Sequence, residues 1–219
     1  MAREPIKPIV YIVDDDAAVR DSLSLLARSA DLDPVSFGTA QAFLDRYDAS
    51  ISGCLVLDMD LPELSGLDLL GRLTALRSHL PVIILTGHGD VPAAVRAMKT
   101  GAMDFFEKPF DGETLLARIQ EAVARDLDRQ RESAERHDLA ARLARLTPRE
   151  REIMEMIVEG KTNKVIAIDL HISERTVELH RSRIMNKMQT RSLAELVQAV
   201  VAHGPTRTQP VEAKQRHSG

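Results

Sequence analysis

The 219-residue chain predicts two architectures in series: an α/β domain built on a parallel five-stranded sheet, then an all-α domain. Three observations point there. Short β-rich apolar runs alternate with amphipathic stretches through the first half. The second half carries helical periodicity instead. The charge also changes sign: residues 1–128 hold 12 Lys/Arg against 21 Asp/Glu, a balance of −9, and residues 129–219 hold 17 against 12, a balance of +5. An acidic half joined to a basic half suggests two separate jobs. With 44% apolar and 28% charged residues, collagen-like, wholly disordered and disulfide-scaffold classes are excluded.

The first strand is Pro8–Val13, a run that stops at Asp14-Asp15-Asp16. A helix over Ala17–Ala30 carries Val19, Leu23 and Leu26. Val35–Phe37 is a weak strand, and Thr39 caps a short helix bearing Phe43 and Leu44. Cys54–Leu57 is a buried strand ending at Asp58, followed by a helical stripe at Leu67, Leu70 and Leu73. Val82–Leu85 is the fourth strand, ending at Thr86. Val91–Lys99 is a helix with Pro92 near its start, where the missing N–H costs little, and Gly101 at its end. Asp104–Glu107 is a short strand before Lys108-Pro109, and Leu115–Val123 begins the last helix of this half. Strands that are apolar throughout belong to a sheet covered on both faces, and this order is (βα)5.

Residues 124–146 contain no Gly or Pro and read as a charged helical linker extending that helix. Its stripe, Leu139, Leu143 and Leu146, is short and broken for a coiled-coil seam. Thr147-Pro148-Arg149-Glu150 is then a strong helix start, with Thr147 as N-cap, Pro148 first in the helix and Glu150 closing a capping box. Gly160 ends that helix, whose apolar face is Ile153, Met156, Ile157 and Val158. Asn163–Leu170 is a second helix and His171-Ile172 a turn. Ser173 caps a third helix reaching Met188, with Val177, Ile184 and Met188 inward, and Leu193–Val201 is a fourth. Residues 204–219 lack apolar periodicity and are expected to be disordered. The domain boundaries expected are 1–124, a linker over 125–145, 146–203, and the tail over 204–219.

In open parallel sheets, ligands sit at the C-terminal ends of the strands. There this chain places Asp14, Asp15, Asp58, Thr86 and Lys108. Clustered carboxylates repel unless a cation lies between them, and a hard divalent ion with oxygen ligands, Mg2+, answers that need. A carboxylate can also act as a nucleophile and form an acyl phosphate, with a hydroxyl and an amine holding the phosphoryl oxygens.

Residues 8–124 resemble the receiver domain of two-component response regulators, which has a flavodoxin-like (βα)5 fold. The matching segments are VDDD (13–16), LVLD (55–58) with Pro62 and Gly66, LTGHGDV (85–91) and DFFEKPF (104–110). The resemblance implies that Asp58 accepts a phosphoryl group from a sensor histidine kinase. It implies Mg2+ held by Asp14, Asp15, Asp58 and the backbone carbonyl of Asp60. It further makes Thr86 the switch hydroxyl, Phe105 the switch aromatic, Lys108 the phosphate-holding cation and Lys108-Pro109 a cis peptide. Val95, Lys99 and Asp104 would support receiver dimerisation. At Asp60 the chain departs from the nearest subfamily, which commonly has a basic residue there; a further carboxylate at the mouth of the site is expected to alter acyl-phosphate lifetime.

In the basic half, the segment from Asn163 to Lys187 reads helix, turn, helix, with a recognition helix suited to a major groove. Residues 146–201 resemble the LuxR/NarL-type effector domain through LTPRERE (146–152), VEGKTNKVIA (158–167) and LHISERTVELHRSRIMNKM (170–188). With the receiver, the chain is most similar to FixJ-type regulators. The resemblance puts Glu178, Leu179 and Ser182 in the groove, Glu178 suited to cytosine N4 and Leu179 to a thymine methyl. Lys164, Thr176, Arg181 and Arg183 would hold phosphates. His180 is expected to pack between helices. The fourth helix, with Leu193, Leu196, Val197 and Val200, looks like the family's dimer contact, although part of that stripe must also cover the domain's own core.

The expected function is therefore that of a response regulator transcription factor, with no enzymatic role beyond self-dephosphorylation. Its expected partners are a histidine kinase, promoter DNA, RNA polymerase and a second copy of itself, in the cytoplasm and without a membrane. No segment has the ~20 apolar residues of a span, and MAREPIKPIV lacks the apolar core of a secretory leader. The single cysteine, Cys54, reads as a buried thiol in a reducing compartment. Two other classes compete. Asp58-Met59-Asp60 resembles the nucleophile motif of haloacid-dehalogenase-like phosphatases, but Pro62 and the preceding Asp14-Asp15 strand do not fit that pattern. The other is a signalling scaffold that does not bind DNA. Gly87-His88-Gly89 lacks the spacing of a nucleotide loop, the remaining histidines lack metal-ligand spacing, and the methionines read as core fillers.

Overall fold

The computed structural model describes residues 7–48, 51–87 and 91–203, and the side chains of 202 and 203 are not described. His88 to Asp90 and the expected disordered tail over 204–219 lie outside the described residues. The chain forms two compact units, Met1–Gln130 and Arg131–Gly219. No helix among the described residues is long and apolar enough to cross a membrane.

The first unit runs β1 (Ile9–Val13), α1 (Ala17–Ser29), β2 (Asp33–Phe37), α2 (Ala40–Leu44), β3 (Cys54–Asp58), α3 (Gly66–Ala75), β4 (Val82–Thr86), α4 (Val91–Thr100), β5 (Asp104–Glu107) and α5, which begins at Gly112 and continues to Ala144. The five strands are parallel in the order β2-β1-β3-β4-β5. Alternate side chains feed opposite layers. Val10, Ile12, Cys54, Val56, Ile83 and Leu85 pack with Leu23 of α1 and Leu115 and Ile119 of α5. Tyr11, Val13, Leu55, Leu57, Val82 and Ile84 pack with Phe43, Leu69, Leu70, Leu73 and Ala97 on the other face. This is the doubly wound, flavodoxin-like arrangement expected from the continuous apolar strands.

Three details differ from the sequence reading. β2 starts two residues earlier, at Asp33, because it is an edge strand and tolerates Pro34 there. In α3 the core side chains are Leu69, Leu70 and Leu73, while Leu67 is half-buried. α1 buries Leu23 and Ala27, leaving Val19 and Leu26 partly exposed. The thiol of Cys54 is fully buried, and burial, with Asp126 adding to it, pushes its pKa up. Such a thiol is inert.

The helix expected to bridge the halves is continuous: α5 spans Gly112–Ala144, 33 residues. On the receiver-like unit it is tied by Asp126, a buried carboxylate that accepts from the Gly53 N–H (2.8 Å), Arg129 (2.7 Å) and Gln130 (2.6 Å). Gly53 has φ +125°, and a Cβ there would meet the Ile9 carbonyl oxygen at 1.9 Å, so no other residue fits. The division between the two units, at Gln130–Arg131, falls within α5. The linker's leucines find a use the sequence did not reveal: Leu139, Leu143 and Leu146 are buried in the core of the second unit.

The second unit continues with α6 (Pro148–Val158), α7 (Asn163–Asp169), α8 (Glu174–Met188) and α9 (Leu193–His203). The capping box of α6 is complete, with Thr147 accepting from Glu150 N–H and the Glu150 carboxylate from Thr147 N–H. Ser173 caps α8 through Thr176 N–H. His171 turns the chain between α7 and α8 at φ 54°, in the left-handed region. Ile153, Ile157, Ile166, Val177, Ile184, Met188 and Leu196 form the core.

Candidate functional site

The strand order reverses direction at β1, whose neighbours are β2 and β3, so a crevice opens beyond the C-terminal ends of β1 and β3. Asp14 follows β1 and Asp58 ends β3. An open cleft there is lined by Asp14, Asp15, Asp16, Val19, Asp58, Asp60, Gly87 and Lys108. Asp14 and Asp58 are buried, and Asp15 is exposed. The loop that carries Asp14 and Asp15 is pinned by Arg20, whose Nη1 donates to both backbone carbonyls at 2.8 and 2.9 Å. Sequence reasoning missed Arg20, since a lone arginine on a helix carries no signal of what its tip reaches.

Lys108 Nζ donates to Asp14 Oδ2 at 2.7 Å and to Asp58 Oδ1 at 2.8 Å. The Lys108–Pro109 peptide is cis, as the resemblance implied. Burial holds the Asp58 carboxyl above the ordinary carboxylate range, and Lys108 offsets only part of that rise. Burial alone would lower the Lys108 pKa, but Asp14 and Asp58 outweigh it and raise it, so the amine stays charged. One oxygen from each of Asp14, Asp15 and Asp58 lies within 4.8 Å of the others. An all-oxygen set of this kind fits a hard divalent cation.

The backbone must pass close to Asp58: a Cβ on Gly66 would meet the Asp58 carbonyl oxygen at 2.2 Å, which explains the glycine. Thr86, the last residue of β4, is fully buried. Its Oγ1 donates to Asp60 Oδ2 at 3.4 Å, and Gly87 N–H donates to the same oxygen at 3.4 Å. The Asp60 carboxylate thus covers two donors at the mouth of the cleft. Phe105 is half-buried against the α2–α4 layer. Val95 and Lys99 are exposed on α4, whereas Asp104 is already paired with Arg118 Nε at 2.7 Å.

Comparison with known proteins agrees with this geometry. Residues 10–120 match the response regulator receiver domain, and residues 144–200 match the luxR family of bacterial regulatory proteins. The chain belongs to the response regulators. The regulator is 47% identical over 195 residues to the transcriptional regulatory protein FixJ of Bradyrhizobium diazoefficiens, covering 89% of this chain and 95% of that one. It is 42% identical over 189 residues to the response regulator protein TmoT of Ectopseudomonas mendocina, covering 86% of each. Among solved structures it is similar to the response regulator StyR (TM-score 0.82, 41% identity, 90% of this chain and 99% of that one). It is also similar to full-length FixJ from B. japonicum (TM-score 0.57, 46% identity, 91% and 98%). The regulator is a response regulator transcription factor that joins a receiver to a LuxR-type DNA-binding domain, which implies a histidine kinase and DNA as partners.

On that DNA-binding domain, Lys164, Glu178, Leu179, Ser182 and Arg183 are exposed, Leu179 at 51%. Thr176 is half-buried and its Oγ1 lies 2.8 Å from Ser173 Oγ. Arg181 is partly withdrawn from the surface: Nη1 donates to Asn163 Oδ1 at 3.1 Å and ties α8 to α7. His180 is half-buried with its Nδ1 shielded from solvent. The expected dimer stripe on α9 is divided. Leu196 is fully buried in the unit's own core and cannot face a partner, because α9 must close that core. Val200 also packs there, Val197 is half-buried, and Leu193 remains 43% exposed.

Proposed function

We propose that Asp58 accepts a phosphoryl group from a histidine kinase and that the modification controls promoter binding by the C-terminal domain. The observation that carries this is the placement of one buried carboxylate beside a charged lysine and two further carboxylates at the switch point of the sheet. An oxygen of Asp58 attacks phosphorus, a P–O bond forms, and the phosphoryl–nitrogen bond of the donor's phosphohistidine breaks as the imidazole leaves. Asp14, Asp15 and Asp58, with the Asp60 carbonyl, would hold Mg2+, which when bound supplies positive charge to the transferring oxygens. Lys108 and the Thr86 hydroxyl bind those oxygens, so Thr86 must leave Asp60. Inward movement of Thr86 and Phe105 then remodels the face of α4 and β5, where Val95, Lys99 and Asp104 support dimerisation. Recruiting Asp104 requires its pair with Arg118 to open.

In the dimer, two copies of α8 meet half-sites about one DNA turn apart. Glu178, Leu179 and Ser182 read bases, and Lys164, Thr176 and Arg183 contact phosphates, with Arg181 joining them if it gives up Asn163. Leu193 and Val197 supply the dimer contact on α9. The regulator acts in the cytoplasm, engages RNA polymerase at the promoter, and returns to rest by self-dephosphorylation. The test is incubation with a small acyl-phosphate donor and Mg2+. One phosphoryl group per chain, lost in Asp58→Asn, with a rise in sequence-selective DNA binding, is expected. Steady turnover of phosphate esters would support a phosphatase instead, and absence of selective DNA binding would support a scaffold.

A further inference from the structure

A helix leaves its last four carbonyls without partners inside the helix, and a cation placed there is favourable. At the C-terminal end of α8, Gln189 adopts the left-handed conformation at φ 56°, and the N–H groups of Gln189 and Thr190 reach back to Asn186 and Met185 carbonyls. The Met188 carbonyl is taken by a residue of α5: Arg142 Nη1 donates to it at 3.0 Å. Arg142 is itself oriented by Asp138, one turn earlier, which accepts from Nη2. Its Nε is shielded from solvent and has no acceptor among the described residues, so the side chain gives up one hydrogen bond to hold this position. Two further ties fix α8. Lys187 Nζ donates to the buried Glu150 of α6 at 2.6 Å, and Arg181 to Asn163 of α7 at 3.1 Å. One polar tie to α8 thus comes from each of three elements, α5, α6 and α7.

We propose that Arg142 is a positioning residue for DNA recognition: through the Met188 carbonyl it sets the register of the recognition helix from the end of the linker helix. Arg142 touches no base or phosphate in this role. It acts by holding Glu178, Leu179 and Ser182 at the angle the groove requires. Arg142 lies in the last turn of α5, the helix that begins at Gly112. The inference rests on reading α8 as the recognition helix.

The test uses the full chain and a duplex enriched from a random-sequence pool by the wild-type protein. Affinity is measured over a range of salt, well below the unfolding midpoint, so that lost stability does not change the folded fraction. Arg142→Met is expected to weaken binding about tenfold with the slope against salt unchanged, and Arg142→Lys to recover part of the loss. A direct phosphate contact would instead reduce the slope by about one charge, and that result, like unchanged affinity, would overturn the proposal. If Arg142→Met does not fold, Asp138→Asn gives a second reading, expected at about a threefold loss; unchanged affinity there counts against the proposal. Leu179→Lys tests the recognition helix separately. Unaltered base preference in that variant would refute the reading of α8, whereas altered preference in Leu179→Lys together with unchanged affinity in Arg142→Met would refute the role of Arg142.

Discussion

Asp60 Oδ2 accepts from Gly87 N–H and from Thr86 Oγ1, the hydroxyl that a phosphoryl group on Asp58 would need. It also brings a like charge to the site, worth about 1 kcal/mol at 4 Å in water. Replacing it with arginine removes the competitor and supplies a cation, so the acyl phosphate of Asp60→Arg is expected to decay about fivefold more slowly than that of the wild type. Equal half-lives would dismiss the effect. Glu150 is the second telling residue. Lys187 holds its carboxyl below the ordinary range of 4.5, and the Thr147 backbone and hydroxyl assist against the opposing effect of burial. A depressed folded value means that the stabilisation is present above about pH 4.5 and is lost as pH falls through the folded value. Glu150→Gln should therefore cost about 1–3 kcal/mol at pH 7 and flatten the loss of effector stability on acidification, as read from denaturant unfolding at both pH values. Both residues stood out in the sequence, Asp60 as a departure and Glu150 as half of a capping box. Their partners, at 26 and 37 residues' distance, did not.

At the scale of elements, α5 shows how a segment can be foreseen as a helix and still be misjudged in its role. The absence of Gly and Pro over 124–146 was enough to foresee its continuity. Its stripe at Leu139, Leu143 and Leu146 looked too weak for a seam, and the structure shows why: these leucines close the core of the second unit against α6 and α8 residues such as Ile153 and Met188. A fragment beginning at 146 lacks Leu139 and Leu143, each worth about 2 kcal/mol or more when removed from a core. Residues 131–203 should therefore unfold cooperatively, while 146–203 should be destabilised by about 3–5 kcal/mol; equal denaturation midpoints would show that the end of α5 adds nothing. The stripe on α9 divides as expected between the domain's own core and its surface, but the sequence did not say which residue goes where. Leu193, Leu196, Val197 and Val200 share one spacing, yet Leu196 is core and Leu193 surface, because a periodic stripe does not say how wide a face its neighbours will cover.

For the whole molecule, the change of charge sign at mid-chain follows from two chemistries. The receiver gathers Asp14, Asp15 and Asp58 where strand ends converge, and the LuxR-type domain leaves Lys164 of α7 and Arg183 of α8 exposed. The architecture, the order of elements and the identity of the strand-end residues could all be read along the chain. Strands of four to six apolar residues and capped amphipathic helices are local patterns, and the parallel topology places their ends together by rule. What needed the folded molecule were the pairings of polar tips across distance: Arg20 on the Asp14 and Asp15 carbonyls, Asp126 on Gly53, Asp60 on Thr86, and Arg142 on Met188. The physical reason is that backbone periodicity is written in neighbouring residues, whereas the end of a long side chain is placed by whichever unpaired carbonyl, N–H or carboxylate the fold brings within about 3 Å.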